Sequence, residues 1–233
     1  MRLFTDGDTH MAVIETFIDE GGVHSTAPIL SVAAFGGTHE KWAEFLAQWK
    51  EPNFHACDST WEKSKGTLAD IIDDCGLEAV VTWLKTDDFK KHANTDLKNN
   101  LGNAYAICTF ACALNICKLA RSTSSDVSFV IEQGQPNAEY VERVLNALSE
   151  DNTQGIKSVA LVQKRSFRQL ATADFVAHSR STSNPWLKRL LDGGGVLESQ
   201  ITAAQLHKIS NQVSLLAKRY KYERSKRRRR WRQ

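Results

Sequence analysis

The sequence predicts a mixed α/β fold in which a five-stranded sheet is flanked by helices. In the first half of the chain, two apolar strand patterns follow each other across a short connection that contains two glycines. Such a pattern favours an antiparallel hairpin. In the second half, strand and helix patterns alternate, which favours βαβ crossovers and therefore parallel pairing. With 233 residues, the chain is long enough to bury one sizeable core.

The elements of the first half follow from local signals. In chain order they are strand one (12–19), strand two (27–37), a helix (38–50), a second helix (59–75) and strand three (77–85). Thr38 is a typical N-cap for the first helix, and Pro52 ends it. Gly76 ends the second helix. The two helices therefore form an insertion between strands two and three.

The second half begins with a helical pattern that is apolar nearly all round, at residues 103–120, and such a helix is expected to be buried. The elements that follow are strand four (126–134), a helix from Pro136 to about Ser149, strand five (157–164), and helices at 167–181 and 203–223. The segment 190–199 is interpreted as the loosest internal point. A hairpin meander followed by parallel crossovers gives the spatial strand order 3-2-1-4-5.

Composition excludes several classes of protein. The chain has no run of about 18 apolar residues, so we expect no membrane association, and its start does not resemble a secretory signal. Five cysteines without a Cys-x-x-Cys pair argue against a disulfide framework and a structural zinc site. These features predict a reducing compartment: the cytoplasm, or the nucleus if the source is eukaryotic. Residues 1–10 are given no structural weight.

The positive charge of the chain is concentrated at its C-terminal end. Residues 218–233 hold ten Lys and Arg against one Glu, a net charge of +9, whereas the whole chain carries +3, so the remainder is acidic at −6. We therefore expect a single domain at 11–217 and a basic tail at 218–233. Arginines contact phosphates, and an aromatic ring among them offers a stacking face for bases. The expected nucleic-acid-binding residues of the tail are Arg227, Arg228, Arg229, Arg230 and Trp231.

Carboxylates stand at three points of the predicted architecture. Strand one ends in Asp19-Glu20, strand four ends in Glu132, and Asp174 lies among apolar residues of the helix after strand five. Each has an ordinary interpretation: a turn, a solvated strand end, or an ion pair of Asp174 with Arg168 or Arg180. If strands one and four are neighbours, however, the acids converge, and converging carboxylates repel each other.

A divalent cation resolves this repulsion. Mg²⁺ prefers hard oxygen ligands, and two such ions about 3.5–4 Å apart promote phosphodiester hydrolysis. The pattern therefore predicts Mg²⁺ or Mn²⁺ bound by Asp19, Glu132 and Asp174. Glu20 is expected to serve as a fourth ligand or as a base for the attacking water.

The same residues resemble a known family. The segment FIDEGG (17–22), FVIEQG (129–134) and LATADFVAHSRS (170–181) resemble the three acidic motifs of the family called domain of unknown function 3800, which belongs to the ribonuclease H-like superfamily. The resemblance covers about residues 12–182. It implies a ribonuclease H-like fold with a metal-dependent site on the three acids. The chain departs from the family pattern at Gly21, where Ser is usual, and at Ala171, where Gln is usual.

Other residues near these motifs are further candidates. His55 stands where the family often has a histidine, and it is expected to contact the scissile phosphate or a leaving group, or to be structural. His178 lies one helical turn after Asp174 and is a candidate proton shuttle. Lys164 and Arg165, at the end of strand five, are candidate phosphate ligands or solvated residues.

The function predicted is a metal-dependent nuclease that acts on DNA or RNA through the carboxylate cluster. Two alternatives remain open at the level of the sequence. The first is a catalytically weak or inactive nucleic-acid-binding protein of the same fold. The second is a protein-interaction module whose basic tail serves as a targeting signal.

Overall fold

The structure is a computed structural model. It describes residues 13–22, 27–93, 103–134, 138–150, 154–182 and 184–209, with the isolated positions 95, 98, 211, 212 and 215. The predicted nucleic-acid-binding residues of the tail lie outside the described residues: Arg227, Arg228, Arg229, Arg230 and Trp231. Of the predicted last helix, residues 203–209 are helical.

Six strands form one sheet. They are β1 (Val13–Gly21), β2 (Ile29–Gly37), β3 (Glu78–Lys85), β4 (Asp126–Glu132), β5 (Ile156–Val162) and β6 (Val196–Gln200). Their spatial order is β5-β4-β1-β2-β3-β6. β1 pairs with β2, and β2 with β3, in antiparallel fashion, whereas β4 is parallel to β1 and β5 is parallel to β4. The predicted mixed α/β sheet and the order 3-2-1-4-5 of its five predicted strands are confirmed, and a sixth strand lies beyond β3.

Five of the helices below lie where helices were predicted, whereas those at Thr86–His92 and Pro185–Asp192 were not predicted. The helices are α1 (His39–Gln48), α2 (Ser64–Asp74), α3 (Thr86–His92), α4 (Ala104–Ser122), α5 (Ala138–Glu150), α6 (Leu170–Ser181) and α7 (Pro185–Asp192). The Thr38 side chain accepts a hydrogen bond from the backbone N–H of Lys41, as expected of an N-cap. The second predicted helix is divided, because a 3-10 turn at Ser59–Trp61 precedes α2.

The sixth strand was not predicted. Residues 190–199 were interpreted as a loose segment, but only its three glycines form a turn, and Val196–Gln200 pairs in parallel with β3. Each residue of β6 from Val196 to Gln200 has a partner on β3, from Ala79 to Trp83. The strand therefore covers an edge of β3 that would otherwise expose unpaired backbone groups.

Two hydrophobic layers enclose the sheet. α4 and α5 pack on one face, where Ile18 of β1 is buried, and α1, α2, α6 and α7 pack on the other, where Phe17 is buried. α4 is long and apolar enough to cross a membrane by length and composition, but most of it is buried inside the protein, as expected of a core helix. Because side chains alternate along β1, Asp19 follows Phe17 toward the α6 face and Glu20 follows Ile18 toward the α4 face.

Candidate active site

The ends of β1 and β4 bring the first carboxylates together. The two strands run side by side, and their last registered pair is Ile18 with Ile131. Asp19 and Glu132 are the next residue on each strand, so they lie at the same edge of the sheet. The sequence predicted this neighbourhood from the strand order. The register of β1 against β4 shows which residues of the two strands are neighbours.

The two glycines after the acids allow α6 to approach the end of β1. A Cβ atom on Gly21 would lie 2.5 Å from the backbone oxygen of Ala177, in the middle of α6. Gly22 has φ +76°, a conformation that other L-residues rarely adopt. The Ser31 hydroxyl of β2 donates to the Ala177 oxygen at 2.7 Å. This close docking places Asp174, one turn earlier on α6, over Asp19.

Three carboxylates form a group of possible metal ligands. Asp19, Glu20 and Glu132 each offer an oxygen atom, and these atoms lie within 4.8 Å of one another. Asp19 is fully buried and Glu20 nearly so. Oε2 of Glu20 is buried and has no hydrogen-bond partner among the described residues. With Asp174, the three residues are called the acidic cluster below.

Lys164 lies inside the acidic cluster. Its Nζ is 2.7 Å from Oδ2 of Asp19, 3.1 Å from Oδ2 of Asp174 and 3.4 Å from Oε2 of Glu132. The contact with Glu132 is an ion pair without hydrogen-bond geometry. The sequence predicted a phosphate ligand or a solvated residue here, but the ammonium group points into the acids. The strand order held a signal for this placement, since β5 is the neighbour of β4 and Lys164 follows the end of β5.

Asp174 is held by two hydrogen-bonding groups and one ion pair. Its Oδ2 accepts from the backbone N–H of Ala56 at 2.8 Å, lies 3.0 Å from Nδ1 of His55, and forms an ion pair with Lys164. The ion pair with Arg168 or Arg180, considered from the sequence, is not found among the described residues. Sequence patterns could not reveal the Ala56 contact, because a backbone N–H carries no residue signature.

Burial and charge shift the pKa values in this cluster. Burial raises the pKa of Glu20 to about 7, and burial together with the adjacent Glu20 raises the pKa of Asp19 well above its usual value. Burial also raises the pKa of Asp174, but the His55 hydrogen bond and the charge of Lys164 outweigh it and lower the net value. Burial lowers the pKa of Lys164, but the neighbouring carboxylates of Asp19, Asp174 and Glu132 outweigh this effect, so the net pKa is raised. At Asp19 and Glu20, burial therefore outweighs the positive charge that Lys164 supplies.

An open groove leads to the acidic cluster. It has a volume of about 470 Å³ and is lined by Pro52, Asn53, Phe54, His55, Glu132, Lys164 and Arg165. His55 is 59% exposed, and its hydrogen bond to Asp174 raises its pKa, which favours the protonated ring. Arg165 lies on the wall of the groove. The roles of both residues toward a substrate stay predictions.

His178 lies one turn after Asp174, on the half-buried part of α6. Burial, and then the nearby Lys65 ammonium, lower the pKa of His178 below its ordinary value. The neutral ring is therefore favoured at neutral pH. This state is suited to accepting a proton, but the role of His178 as a proton shuttle stays a prediction.

The stability of the metal-free protein should increase as the pH is lowered from 8 to 5. The pKa of Glu20 is about 7 in the folded protein against an ordinary value of 4.5. The folded state thus binds this proton more tightly than the unfolded chain, so the free energy of unfolding falls as the pH rises between these values. The expected change is on the order of 3 kcal/mol. Thermal unfolding in EDTA across this pH range measures it.

The control for this pH effect is Glu20→Gln. The raised pKa values of Asp19 and His55 act in the same direction, and the lowered pKa of His178 acts against it. The Gln variant should keep the contributions of His55 and His178, lose the part that comes from Glu20, and reduce that of Asp19, because the charge of Glu20 helps to raise the pKa of Asp19. A wild-type Tm that stays constant or rises from pH 5 to pH 8 would contradict the assignment of a buried, uncompensated Glu20.

No protein-family model and no curated protein matches the chain. Among solved structures, it is similar to a chain of the PCNA:RNase HII complex from Archaeoglobus fulgidus, with 14% identity, a TM-score of 0.46 and 78% of each chain covered. It is also similar to a mutant Bst-RNase HIII and to Bst-RNase HIII in complex with Mn²⁺, with 16% and 15% identity and TM-scores of 0.46 and 0.43. The chain spans 56% of the length of both Bst-RNase HIII chains.

Proposed function

We propose that the chain is a divalent-metal-dependent nuclease that hydrolyses phosphodiester bonds in nucleic acid. The observation that carries the proposal is the convergence of Asp19, Glu20 and Glu132 within 4.8 Å, beside a groove bordered by Arg165. We also propose that the chain is a divergent member of the family called domain of unknown function 3800. The three motifs that resemble that family fall on β1, β4 and α6, which together form this site.

The donor set fits a hard divalent cation. Carboxylate oxygens are the ligands that Mg²⁺ and Mn²⁺ take in proteins. Oε2 of Glu20 is a buried oxygen without a hydrogen-bond partner in the described part of the chain, and burial raises the pKa of Glu20. Asp19, Glu20 and Glu132 would therefore hold the ion. When bound, a divalent ion lowers the pKa of water and stabilises negative charge on a phosphate.

The other residues of the groove would act on the substrate. The Arg165 guanidinium supplies positive charge for a non-bridging phosphate oxygen. His55 is exposed to the groove, and its protonated form is favoured by Asp174, so it can donate a proton to the leaving oxygen. Asp174 orients this ring through the hydrogen bond to Nδ1, which leaves Nε2 free to face the substrate.

The test is a cleavage assay of the full-length protein on labelled DNA and RNA, single- and double-stranded, in Mg²⁺, Mn²⁺ and EDTA. Cleavage of at least one substrate class in Mg²⁺ or Mn²⁺, and none in EDTA, is the expected result. The groups available for phosphate contact carry no base specificity, so sequence-independent cleavage is expected. Binding without cleavage in any metal would reject the nuclease and favour the second candidate below.

The second candidate is a nucleic-acid-binding protein of the same fold without turnover. The ion pairs of Lys164 with three acids favour it, because they already neutralise part of the charge that a metal would neutralise. The cleavage assay, together with a binding measurement on the same substrates, separates the two candidates.

Replacing His55 with Asn should lower the cleavage rate about a hundred-fold, the lower end of what proton transfer by a positioned side chain contributes. Asp174 keeps its hydrogen bond from Ala56 and its ion pair with Lys164 in this variant, so the fold and Mn²⁺ affinity should change little. The pH dependence of the rate provides the distinguishing measurement. If His55 were only structural, the variant would keep the wild-type pH profile and lose stability instead.

A further inference from the structure

Lys164 provides a fixed positive charge in the acidic cluster. One ammonium group contacts Asp19, Glu132 and Asp174 at 2.7 to 3.4 Å. The Lys164 side chain is only 22% exposed, so these ion pairs are largely shielded from water. Charge pairs of this kind are much stronger than pairs on an open surface.

The acidic cluster contains two overlapping sets of oxygens. Asp19, Glu20 and Glu132 form the first set, whose ligand atoms lie within 4.8 Å of one another. Asp19, Glu132 and Asp174 form the second set, and Lys164 Nζ lies between its members. Two-metal phosphodiesterases place two cations about 3.5–4 Å apart. Here one of two adjoining positions already holds a cation that belongs to the chain.

The backbone around Lys164 holds the ammonium group in this position. Lys164–Ser166 is a 3-10 turn, closed by the bond from the N–H of Phe167 to the oxygen of Lys164. The Phe167 ring packs against Phe17 of β1, with 6.1 Å between the ring centroids. The turn is therefore attached to the core, next to the strand that carries Asp19.

We propose that the Lys164 ammonium takes the place of a second divalent cation, so that the acidic cluster binds a single divalent ion through Asp19, Glu20 and Glu132. The inference rests on the proposed function, since it specifies how that site binds metal. Asp174 then neutralises Lys164 and orients His55 instead of binding metal directly. The lysine supplies positive charge for the substrate phosphate but no coordinated water.

The test is the stoichiometry of Mn²⁺ binding to the full-length protein at pH 8, measured by electron paramagnetic resonance of free Mn²⁺. The wild type should bind one ion. Lys164→Met removes the charge and keeps an unbranched side chain, and it should bind two ions, the first at least ~10-fold more tightly than the wild type does. Lys164→Arg retains a cation and should bind one.

Lys157→Met is the matched control. Lys157 lies near the start of β5, whereas Lys164 follows the end of that strand. Lys157 pairs at 3.3 Å with Asp126 at the start of β4, at the opposite end from the acidic cluster. Its removal should leave one Mn²⁺ bound with unchanged affinity. A thermal melt of each variant, with and without Mn²⁺, checks that the protein is folded.

Three results would overturn the inference. Two ions bound by the wild type would show that Lys164 does not occupy a cation position, even if Lys164→Met failed to fold. One ion bound by both the wild type and folded Lys164→Met would show that Lys164 does not limit the stoichiometry. No binding by the wild type at millimolar Mn²⁺ would reject the proposed metal site itself. The first two results leave the proposed nuclease standing, so the two failures are distinguishable.

Discussion

Asp19→Asn should reduce divalent-dependent cleavage by at least ~10⁴-fold, the scale of loss when one member of a catalytic unit is removed. Asp19 belongs to both oxygen sets of the acidic cluster. Its Oδ1 accepts from the backbone N–H of Glu20, and its Oδ2 contacts Lys164. Asn has the same shape and can still accept the bond from the Glu20 N–H. It lacks the charge that a divalent ion requires. Steady-state and single-turnover cleavage in Mg²⁺ and Mn²⁺ measure the effect.

The metal-free Asp19→Asn protein should be as stable as the wild type or more stable. Burial and the neighbouring Glu20 raise the pKa of Asp19, so the ionised group opposes folding at neutral pH. Asp126→Asn is the control, because Asp126 lies at the other end of β4 and pairs with Lys157. It should retain cleavage near the wild-type rate. A folded Asp19→Asn protein that cleaves within tenfold of the wild type would contradict the assignment.

Gly21→Ala should destabilise the protein by about 3 kcal/mol, the upper end of the usual cost of overpacking. The new Cβ would lie 2.5 Å from the oxygen and 2.6 Å from the carbon of the Ala177 carbonyl. These are backbone atoms, so no flexible side chain can move aside, and α6 must shift as a whole. The shift would carry Asp174 away from Asp19. We expect a Tm about 6–12 °C lower. The cleavage rate should fall by more than the decrease in the folded fraction accounts for.

Gly195→Ala is the matched control for this change. The nearest atom to a Cβ on Gly195 is the Leu77 oxygen at 3.4 Å, an ordinary contact, and the residue has no positive φ. Its Tm and cleavage should stay close to wild-type values. Equal Tm and equal cleavage for Gly21→Ala and the wild type would mean that α6 does not depend on the bare backbone at the end of β1.

The residues of the site that could be predicted are mainly those whose strands leave a recognisable pattern in the sequence. β1 and β4 are apolar runs that stop at a carboxylate, and such an ending is visible without coordinates. The strand order then follows from a hairpin and two crossovers, so the meeting of Asp19 and Glu132 could be predicted. Asp174 was recognisable because it interrupts the apolar residues of a helix. Gly21 and Gly22 indicated a connection after β1, but not that α6 packs against it.

The unpredictable part depends on side-chain direction and on the backbone. Whether Lys164 points to water or into the acidic cluster is decided by a 3-10 turn of three residues, and turns this short leave little periodic signal. The bond from the Ala56 N–H to Asp174 involves no identifying side chain. β6 was missed because a five-residue strand after three glycines resembles a loop in composition. The features that were not predicted depend on individual contacts in the folded protein, whereas the predicted features leave a pattern in the sequence.

The contacts that position the acidic cluster join residues that are far apart in the sequence. Lys164 and Asp19 are 145 residues apart, Asp174 and the Ala56 N–H are 118 apart, and the Ser31 hydroxyl reaches Ala177 across 146. Closing such loops costs entropy before any contact repays it, so non-local contacts of this kind slow folding. During synthesis, the hairpin of β1 and β2 emerges first and carries Asp19 and Glu20 alone. The acidic cluster is therefore assembled only after α6 has left the ribosome, and a chain interrupted before that point cannot form it.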